Sequence, residues 1–597
     1  MSYFDISGAV FNNQLRELET SDPAHADVFN AVFRQLINND VALMEAASMF
    51  AGEKNKQAEF ILNLKRTGKK YGVHHSAFDV SPLSAGTRTL DAVGMVAQPS
   101  TNTVRGRNDF EGESVFYGLE VNGHVDDAGE FIVEYIKGID NEFSRTERDT
   151  WMLYLTQWIN ITIDANGESL VISDEHHAGF FPEGAAIRTD QTVRPFVAQA
   201  KYMAGNGSDG KAASISGVNA AHDQSHNGMI TRFKAKGTQY CGTTAQDKNH
   251  MDNLFEVAFA TRNSQSIMSG CTGYYNRFYA TVVENNVERI IISKSDANYL
   301  VVGSTVSIGN ATALSGSNPT DDRGNAGLHA KANRVIITKI EDYDSNNSAV
   351  YVDNGGTKFS TGSTMVGSTE VKTTIVTMPW HTGACDNVLG SCGSPNSNTS
   401  GKDPYILFGV EMFLGFYEVI SNVILKISNH VMTACICYDC TKLATSVTSD
   451  YVECGYSIAD TQASWKYISE LGYDPENPSV RHGTKVAASS STGYADGQYT
   501  DKLDQTSDGL REWLSGGTLA YGSNAGRWYA NLVDGLGNSW WNYAARISVR
   551  ILMCSVFRCP LRQPKNGGGG MPEIQAPASA VRKLTADPVA EVDTGGG

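Results

Sequence analysis

The first strong periodicity in the chain is helical. Within residues 22–50, Val28, Phe29, Val32, Phe33, Leu36, Ile37, Val41 and Met44 recur near the spacing that puts them on one face of an α-helix. Asp22 stands where a cap is needed and Pro23 suits a first helical turn. The stripe is wide, and two ways of burying it are open. The helix folds back on its own body, or it joins copies of itself around a symmetry axis. In the second case Val28, Phe29, Val32, Phe33, Leu36 and Ile37 are the predicted oligomerisation contacts. A second helix is predicted over Glu53–Arg66, with Phe60, Ile61 and Leu64 on one side.

From Gly72 to about Gly273 the pattern changes to short alternating runs separated by Gly, Asn and Asp, which predicts strands. The exception is Asp247–Met268, where Met251, Leu254, Phe255, Ala258 and Phe259 make an apolar face for docking on a sheet. Residues 277–376 alternate again in RFYATVVE, RIIISKS, YLVVGSTVSIG, ANRVIITKIEDY and SAVYVDN, the texture of a small β-barrel or sandwich inserted in a larger fold. Residues 381–404 read as a Gly/Ser/Asn loop, and Tyr405 onward as a return to the larger fold. Beyond Lys565 the chain is Gly-, Ala- and Pro-rich without period, which predicts a disordered tail. The predicted segments are residues 1–70, helical attachment; 71–280 and 377–560, two parts of one body; 281–376, an inserted β module; and 561–597, the tail.

Composition narrows the function classes. Across 597 residues the formal charge is −17, which argues against a nucleic-acid footprint and against docking on an anionic leaflet. Only 19% of residues are charged and 58 are Gly, the profile of a loop-rich, β-leaning globular protein. The most apolar stretch, Tyr405–Ser428, carries Glu411, Glu418 and Lys426, so it reads as buried core and not as a membrane span. The N-terminus lacks a basic region followed by an apolar run, so synthesis in the cytosol without a secretory signal or anchor is expected.

Catalytic and metal signatures are weak. Cys435, Cys437, Cys440 and Cys454 would supply four thiolates to zinc, but paired C-x2-C knuckles are missing and Ile436 and Tyr438 suggest strand alternation with buried free thiols. Cys554 and Cys559 have the residues for a redox pair, or for plain packing. His222 and His226 would face each other on a helix, yet Gly217, Asn219 and Gly228 point to a loop. His176 and His177 follow Asp174 and Glu175 and raise the same question. The sequence has no G-x-S-x-G, P-loop or H-E-x-x-H. The expectation is no enzyme, no cofactor and no metal.

The informative segment is Gly516–Arg550. Gly516, Gly517, Gly522, Gly526, Gly535 and Gly537 alternate there with Tyr521, Arg527, Trp528, Tyr529, Trp540, Trp541 and Tyr543. Glycines supply turns, and aromatics with Arg supply rigid contact area, as in a paratope. A Gly-rich core hairpin with ordinary aromatic packing has the same composition.

At this point the sequence resembles a family. GSNAGRWYANL followed by NSWWNYAARISVR is similar to the C-terminal region of phage receptor-binding proteins with a C-type-lectin-like domain of the formylglycine-generating-enzyme-like branch. GTRTLDAVGMVA (Gly86–Ala97), NDF (Asn108–Phe110), FATRNSQSIMSGCTG (Phe259–Gly273), GYDPENP (Gly472–Pro478) and DPAHADVFNAVFRQLINND (Asp22–Asp40) resemble stretches of Firmicutes phage tail fibres. The resemblance covers most of residues 1–550. Two departures stand out. The family's GNVWEF-like motif is present only as the divergent Gly415–Ile420, which puts any metal near Glu418 in doubt, and the chain runs past the usual end to Gly597.

The resemblance implies an α+β fold, with an N-terminal helical segment for attachment and oligomerisation before a C-type-lectin-like domain that carries the β insert. It implies a virion protein, a homotrimeric tail fibre, that binds a host surface protein or glycan and other tail or baseplate proteins. Neither nucleic-acid binding nor membrane insertion is implied. Relatives of the major tropism determinant class are diversified by retroelements that mutate adenines in Asn codons. Tyr521, Gly522, Val533, Asp534, Tyr543 and Ala544 are reachable that way, whereas Trp540 is not. Ser523, Asn524, Ala525, Gly526, Asn531, Leu532, Trp541, Asn542, Ala545 and Arg546 match the family's framework. The implied receptor face is Tyr521, Gly522, Arg527, Tyr529, Val533, Asp534, Trp540, Tyr543 and Ala544, clustered toward solvent. Two rivals remain at this level: a baseplate or capsid-decoration protein without a receptor role, and an oxidase of the formylglycine-generating type using Cys554 and Cys559.

Overall fold

The computed structural model describes residues 53–549 apart from 78–80, 82–84, 128, 189–191, 311–322 and 367, together with Phe33, Arg34, Leu36, Ile37 and Asp40. The fold is mostly β, which corrects the α+β expectation. The described residues carry 33 strands, against four α-helices with described bounds: α1 (Lys54–Asn63), α2 (His226–Lys234), α3 (Ala245–Phe259) and α4 (Lys294–Ala297). The physical reason is the close spacing of Gly, Asn and Asp, which leaves room for short strands but for few helices.

The predicted N-terminal helical module is also corrected. Helix α1 packs on the body and not apart from it. Its Asn55 side chain brackets an edge strand, with Nδ2 donating to Phe131 O at 2.6 Å and Oδ1 accepting from Val133 N–H at 2.7 Å. The buried residues of α1 are Gln57, Ala58 and Leu62, while Leu64 is exposed. The apolar side is therefore turned from the predicted Phe60–Leu64 face. Val28, Phe29 and Val32 of the predicted oligomerisation stripe lie outside the described residues. Phe33, Leu36 and Ile37 are helical, with Phe33 and Leu36 exposed and Ile37 half-buried.

Two antiparallel sheets make the first part of the body. One runs in the order Thr87–Leu90, Lys70–Ser76, Gly167–Ser173, Trp158–Asp164, Phe181–Pro182. The other runs Phe131–Ile136, Leu119–Val125, Thr150–Leu155, Phe196–Ala200. Helix α3 begins at a capping box, in which the Thr244 hydroxyl accepts from Asp247 N–H and the Asp247 carboxylate accepts from Thr244 N–H. It ends where Ala260 turns left-handed at φ 50°. Nearly every residue of α3 is buried, polar ones included, so it runs through the core and does not lie on a surface.

Residues 277–377 form a sheet of their own, in the order Arg277–Tyr279, Thr369–Thr377, Thr305–Asn310, Ala332–Asp342, Asn347–Asp353, Arg289–Ser293, with Ser363–Val366 beside Thr369–Thr377. Thr281 N–H donates to Ile291 O at 2.8 Å, which draws the two ends of that sheet together like a barrel. The core is not separate. Ile290, Val306, Ile308, Ile337, Val350 and Ile375 pack in one cluster with Leu414, Phe416, Leu519, Trp541 and Ala544 of the body.

The second part of the body closes around distant pairings. Its seven-stranded sheet has the order Gly483–Ala487, Lys466–Leu471, Gly497–Tyr499, Ala530–Asn531, Leu514–Ser515, Tyr417–Val419, Tyr543–Ala544. A four-stranded sheet, Tyr451–Ile458, Val431–Cys437, Val423–Ser428, Gly509–Arg511, lies beside it in sequence. The apolar stretch from Tyr405 is thus divided among four strands. Among the described residues no helix is long and apolar enough to cross a membrane.

Candidate functional site

The segment Gly516–Val549 threads the body. Leu514–Ser515, Ala530–Asn531 and Tyr543–Ala544 are strands of the seven-stranded sheet, and Ser548–Val549 pairs with Tyr240–Cys241. At two of its glycines a side chain would collide with a neighbour. Gly526 lies at φ 149°, and a Cβ there would stand 2.3 Å from Asp496 Oδ1. Gly517 lies at φ 87°, with a Cβ position 2.7 Å from the Ala525 methyl. The Asp496 carboxylate meanwhile accepts from Trp528 N–H at 2.7 Å, which fixes the turn.

Six aromatic rings converge where this segment crosses the sheet. Tyr521 lies 5.6 Å from Tyr417, 5.3 Å from Trp465 and 5.4 Å from Tyr529, centroid to centroid. Tyr543 meets Tyr417 edge-on at 5.5 Å, and Trp465 stands 5.0 Å from Tyr499. The Tyr417 and Tyr529 hydroxyls are 3.2 Å apart, and Asn531 Nδ2 donates to the Tyr417 oxygen at 3.2 Å. Burial pushes both phenols well above their ordinary pKa, so they stay protonated and able to donate. The cluster has a floor and a rim. Tyr417, Tyr529 and Tyr543 are buried, while Trp465, Tyr499 and Tyr521 are half-buried.

This geometry corrects the expected solvent face. Arg527, Tyr529, Tyr543 and Ala544 are buried, at 3%, 0%, 2% and 0% exposure. Arg527 pairs with Asp252 at 2.6 Å and donates to the Tyr405 hydroxyl at 3.3 Å, so its charge holds α3 to the segment. Tyr543 and Ala544 are strand residues beside Tyr417–Val419, and Tyr529 directly precedes a strand. The strands are too short to show as alternation, so inward and outward residues could not be told apart. Tyr521, Gly522, Val533 and Asp534 are half-buried, and Trp540 is 52% exposed. Next to it Trp541 is buried and stacks on Tyr275 at 6.5 Å. The loop Gly537–Trp540 is exposed throughout, between buried Leu536 and buried Trp541.

The framework position Arg546 has a clear task. Arg546 donates to Lys201 O at 3.2 Å and pairs through Nε with Glu418 at 2.9 Å. The divergent Gly415–Ile420 stretch thus supplies an anion for a buried guanidinium. Among the described residues no group of three or more His, Cys, Asp or Glu is arranged to hold a metal. Cys435, Cys437 and Cys440 share one apolar cluster, whereas Cys454 faces another across its sheet. Burial raises the Cys435, Cys437 and Cys454 thiols, with Cys435 at about 11 and Cys437 at about 12. His222 sits in a loop on Asp223, and His226 is buried at the start of α2, so they do not share a helix face. His177 contacts Ser173 Oγ at 3.1 Å, and His176 packs on Trp158. Cys554 and Cys559 lie outside the described residues.

Sequence reasoning missed Tyr417, Trp465 and Tyr499. Each was visible as an aromatic in a β-textured stretch, but no spacing links positions 417, 465 and 499 to 521; only the strand order does. Comparison with protein-family models and with curated proteins finds no match.

Proposed function

We propose that this chain is a virion protein of a bacteriophage, a tail fibre or receptor-binding protein that recognises a host-surface protein or glycan and performs no catalysis. The observation that carries this reading is the aromatic cluster with a buried floor and a half-exposed rim of Trp465, Tyr499 and Tyr521, together with the exposed Trp540 loop. Aromatic side chains offer large contact area for few rotatable bonds, and a rim locked from below loses little entropy on binding. The order of family-like stretches along the chain supports the phage assignment. A homotrimer is part of this proposal, as the resemblance to phage tail fibres implies. Several copies would strengthen weak single sites through avidity.

The test is adsorption of the purified full chain to host cells. Trp465→Ala with Tyr521→Ala should lower bound protein at least tenfold while circular dichroism stays that of the parent. Undiminished adsorption by the folded double variant would sink the reading. Mass measurement in solution checks assembly: a trimer is expected, and a monomer contradicts that part.

A further inference from the structure

A second site lies away from the aromatic rim. A cleft of about 450 Å³ opens between the stretch Glu111–Glu120 and the loop Cys385–Gly409. That is the size range of small-molecule sites. Its floor is an ion network. Arg145 grips Glu120 with two bonds, Nε to Oε1 at 2.5 Å and Nη2 to Oε2 at 2.8 Å, and reaches Asp386 at 3.3 Å. Lys137 Nζ donates to Glu120 Oε2 at 2.9 Å. Asp386 also accepts from the Tyr202 and Ser216 hydroxyls at 2.6 and 2.8 Å.

Lys201 is the residue this network leaves incompletely served. Its side chain is only 2% exposed, yet it lines the cleft. Its ammonium has three donors, and its two carboxylate neighbours stand at 3.3 Å and 3.9 Å, the second beyond hydrogen-bond reach. A buried cation with spare donors favours an added acceptor. The charge count agrees. Lys137, Arg145 and Lys201 face Glu120 and Asp386, three positive charges against two negative, while Glu111 at the edge is paired with Arg105 at 3.1 Å. Beneath the floor, burial pushes the Glu411 carboxyl up to about 7, even though it accepts from Gly383 and Cys385 N–H at 2.9 Å each. It is fully neutral only well below that pH. Tyr117, Met152 and Val388 supply apolar wall beside these groups.

The geometry points to a binding site for a single carboxylate-bearing sugar, a uronic acid by chemical class, with its carboxylate on Lys201 and Arg145 and its ring against the Tyr117–Val388 side. A carboxylate completes the Lys201 donors and balances the extra positive charge. Ring hydroxyls suit the mixed donors and acceptors, and C–H faces suit the apolar wall. The site does not depend on the aromatic rim.

Isothermal titration of the full chain with sodium glucuronate and with methyl glucoside tests this. Saturable glucuronate binding is expected, at least tenfold tighter than glucoside. Val388→Trp, which fills the half-exposed mouth, and Lys137→Met, at a half-exposed position, should each weaken glucuronate at least fivefold with unchanged melting. Trp540→Ala should leave it unchanged, which separates this site from the proposed receptor loop. Absence of saturation, equal binding of the glucoside, or a folded Val388→Trp protein that binds normally overturns the proposal.

Discussion

The insert and the threaded segment are both β structure, and they were written in different ways. The strands of residues 277–377 are long, such as the 11-residue Ala332–Asp342, and each pairs with another strand of the same stretch. Their alternation is therefore plain, and the sheet can be read from one window of sequence. The segment Gly516–Val549 contributes strands of two residues each, paired with Tyr417–Val419, Gly497–Tyr499 and Tyr240–Cys241. Two residues carry no period, and partners scattered over the chain leave no local trace. Composition filled the gap and suggested an exposed paratope. The structure instead uses most of those aromatics, and Arg527, as internal joints. Aromatic and Gly-rich composition marks a place where something is packed tightly, and only pairing decides whether the partner is the chain itself.

Breaking the joints of the threaded segment should cost more than its composition suggests. The largest effect is expected at Arg527→Ala, which removes a buried guanidinium 2.6 Å from Asp252, leaves that carboxylate to Lys248 at 2.5 Å alone and empties a core position. Removing one partner of a buried pair costs about 3–5 kcal/mol, so urea unfolding should show a large loss or no folded protein. A loss below about 1 kcal/mol would mean that Arg527 is in fact a surface group. Next is Tyr543→Ala, expected to cost about 3 kcal/mol or more by emptying a core position. Tyr521→Ala at the half-buried rim should cost clearly less. Equal losses would erase the distinction between floor and rim.

A third test uses pH. Glu512 is buried just before the strand Leu514–Ser515, and burial, helped by the charge of Asp534, pushes its carboxyl up to about 9. The folded state thus holds a proton that the unfolded state loses near the ordinary value of 4.5. The associated stability is full below that value and is lost as pH rises toward 9. Glu512→Gln removes the dependence. Relative to the parent, it should gain about 2–4 kcal/mol between pH 5 and pH 8, because a tenfold change in proton activity is worth about 1.4 kcal/mol for one bound proton. Parallel urea midpoints for parent and variant at the two pH values would contradict this.

How much was legible follows from the same contrast. Helix α3 was readable because Met251, Leu254, Phe255, Ala258 and Phe259 repeat over a full face, although it ends at Phe259 and not at the expected Met268. The insert strands were readable by alternation. The α+β class was not, because the N-terminal stripe drew attention to helices that are a small share of the described residues. At the site, Tyr521 and Trp540 were found as aromatics with some exposure. Arg527, Tyr529, Tyr543 and Ala544 were placed on the wrong side, and Tyr417, Trp465 and Tyr499 were not connected to them. The cleft of Glu120, Arg145, Lys201 and Asp386 had no signal at all, since those residues are brought together only by strand pairing and a distant loop.

The smallest stability effect should come with the largest functional one. Trp540 is 52% exposed, so Trp540→Ala should change unfolding free energy by less than about 0.5 kcal/mol. An exposed aromatic anchor in a binding face is worth about 2 kcal/mol or more to the complex. The direct measurement is adsorption of the Trp540→Ala chain to host cells beside the parent, with melting followed on the same samples. The account predicts adsorption down at least tenfold at unchanged melting temperature. Full adsorption by the folded variant would contradict the claim that this exposed loop is part of the surface where the protein meets its receptor.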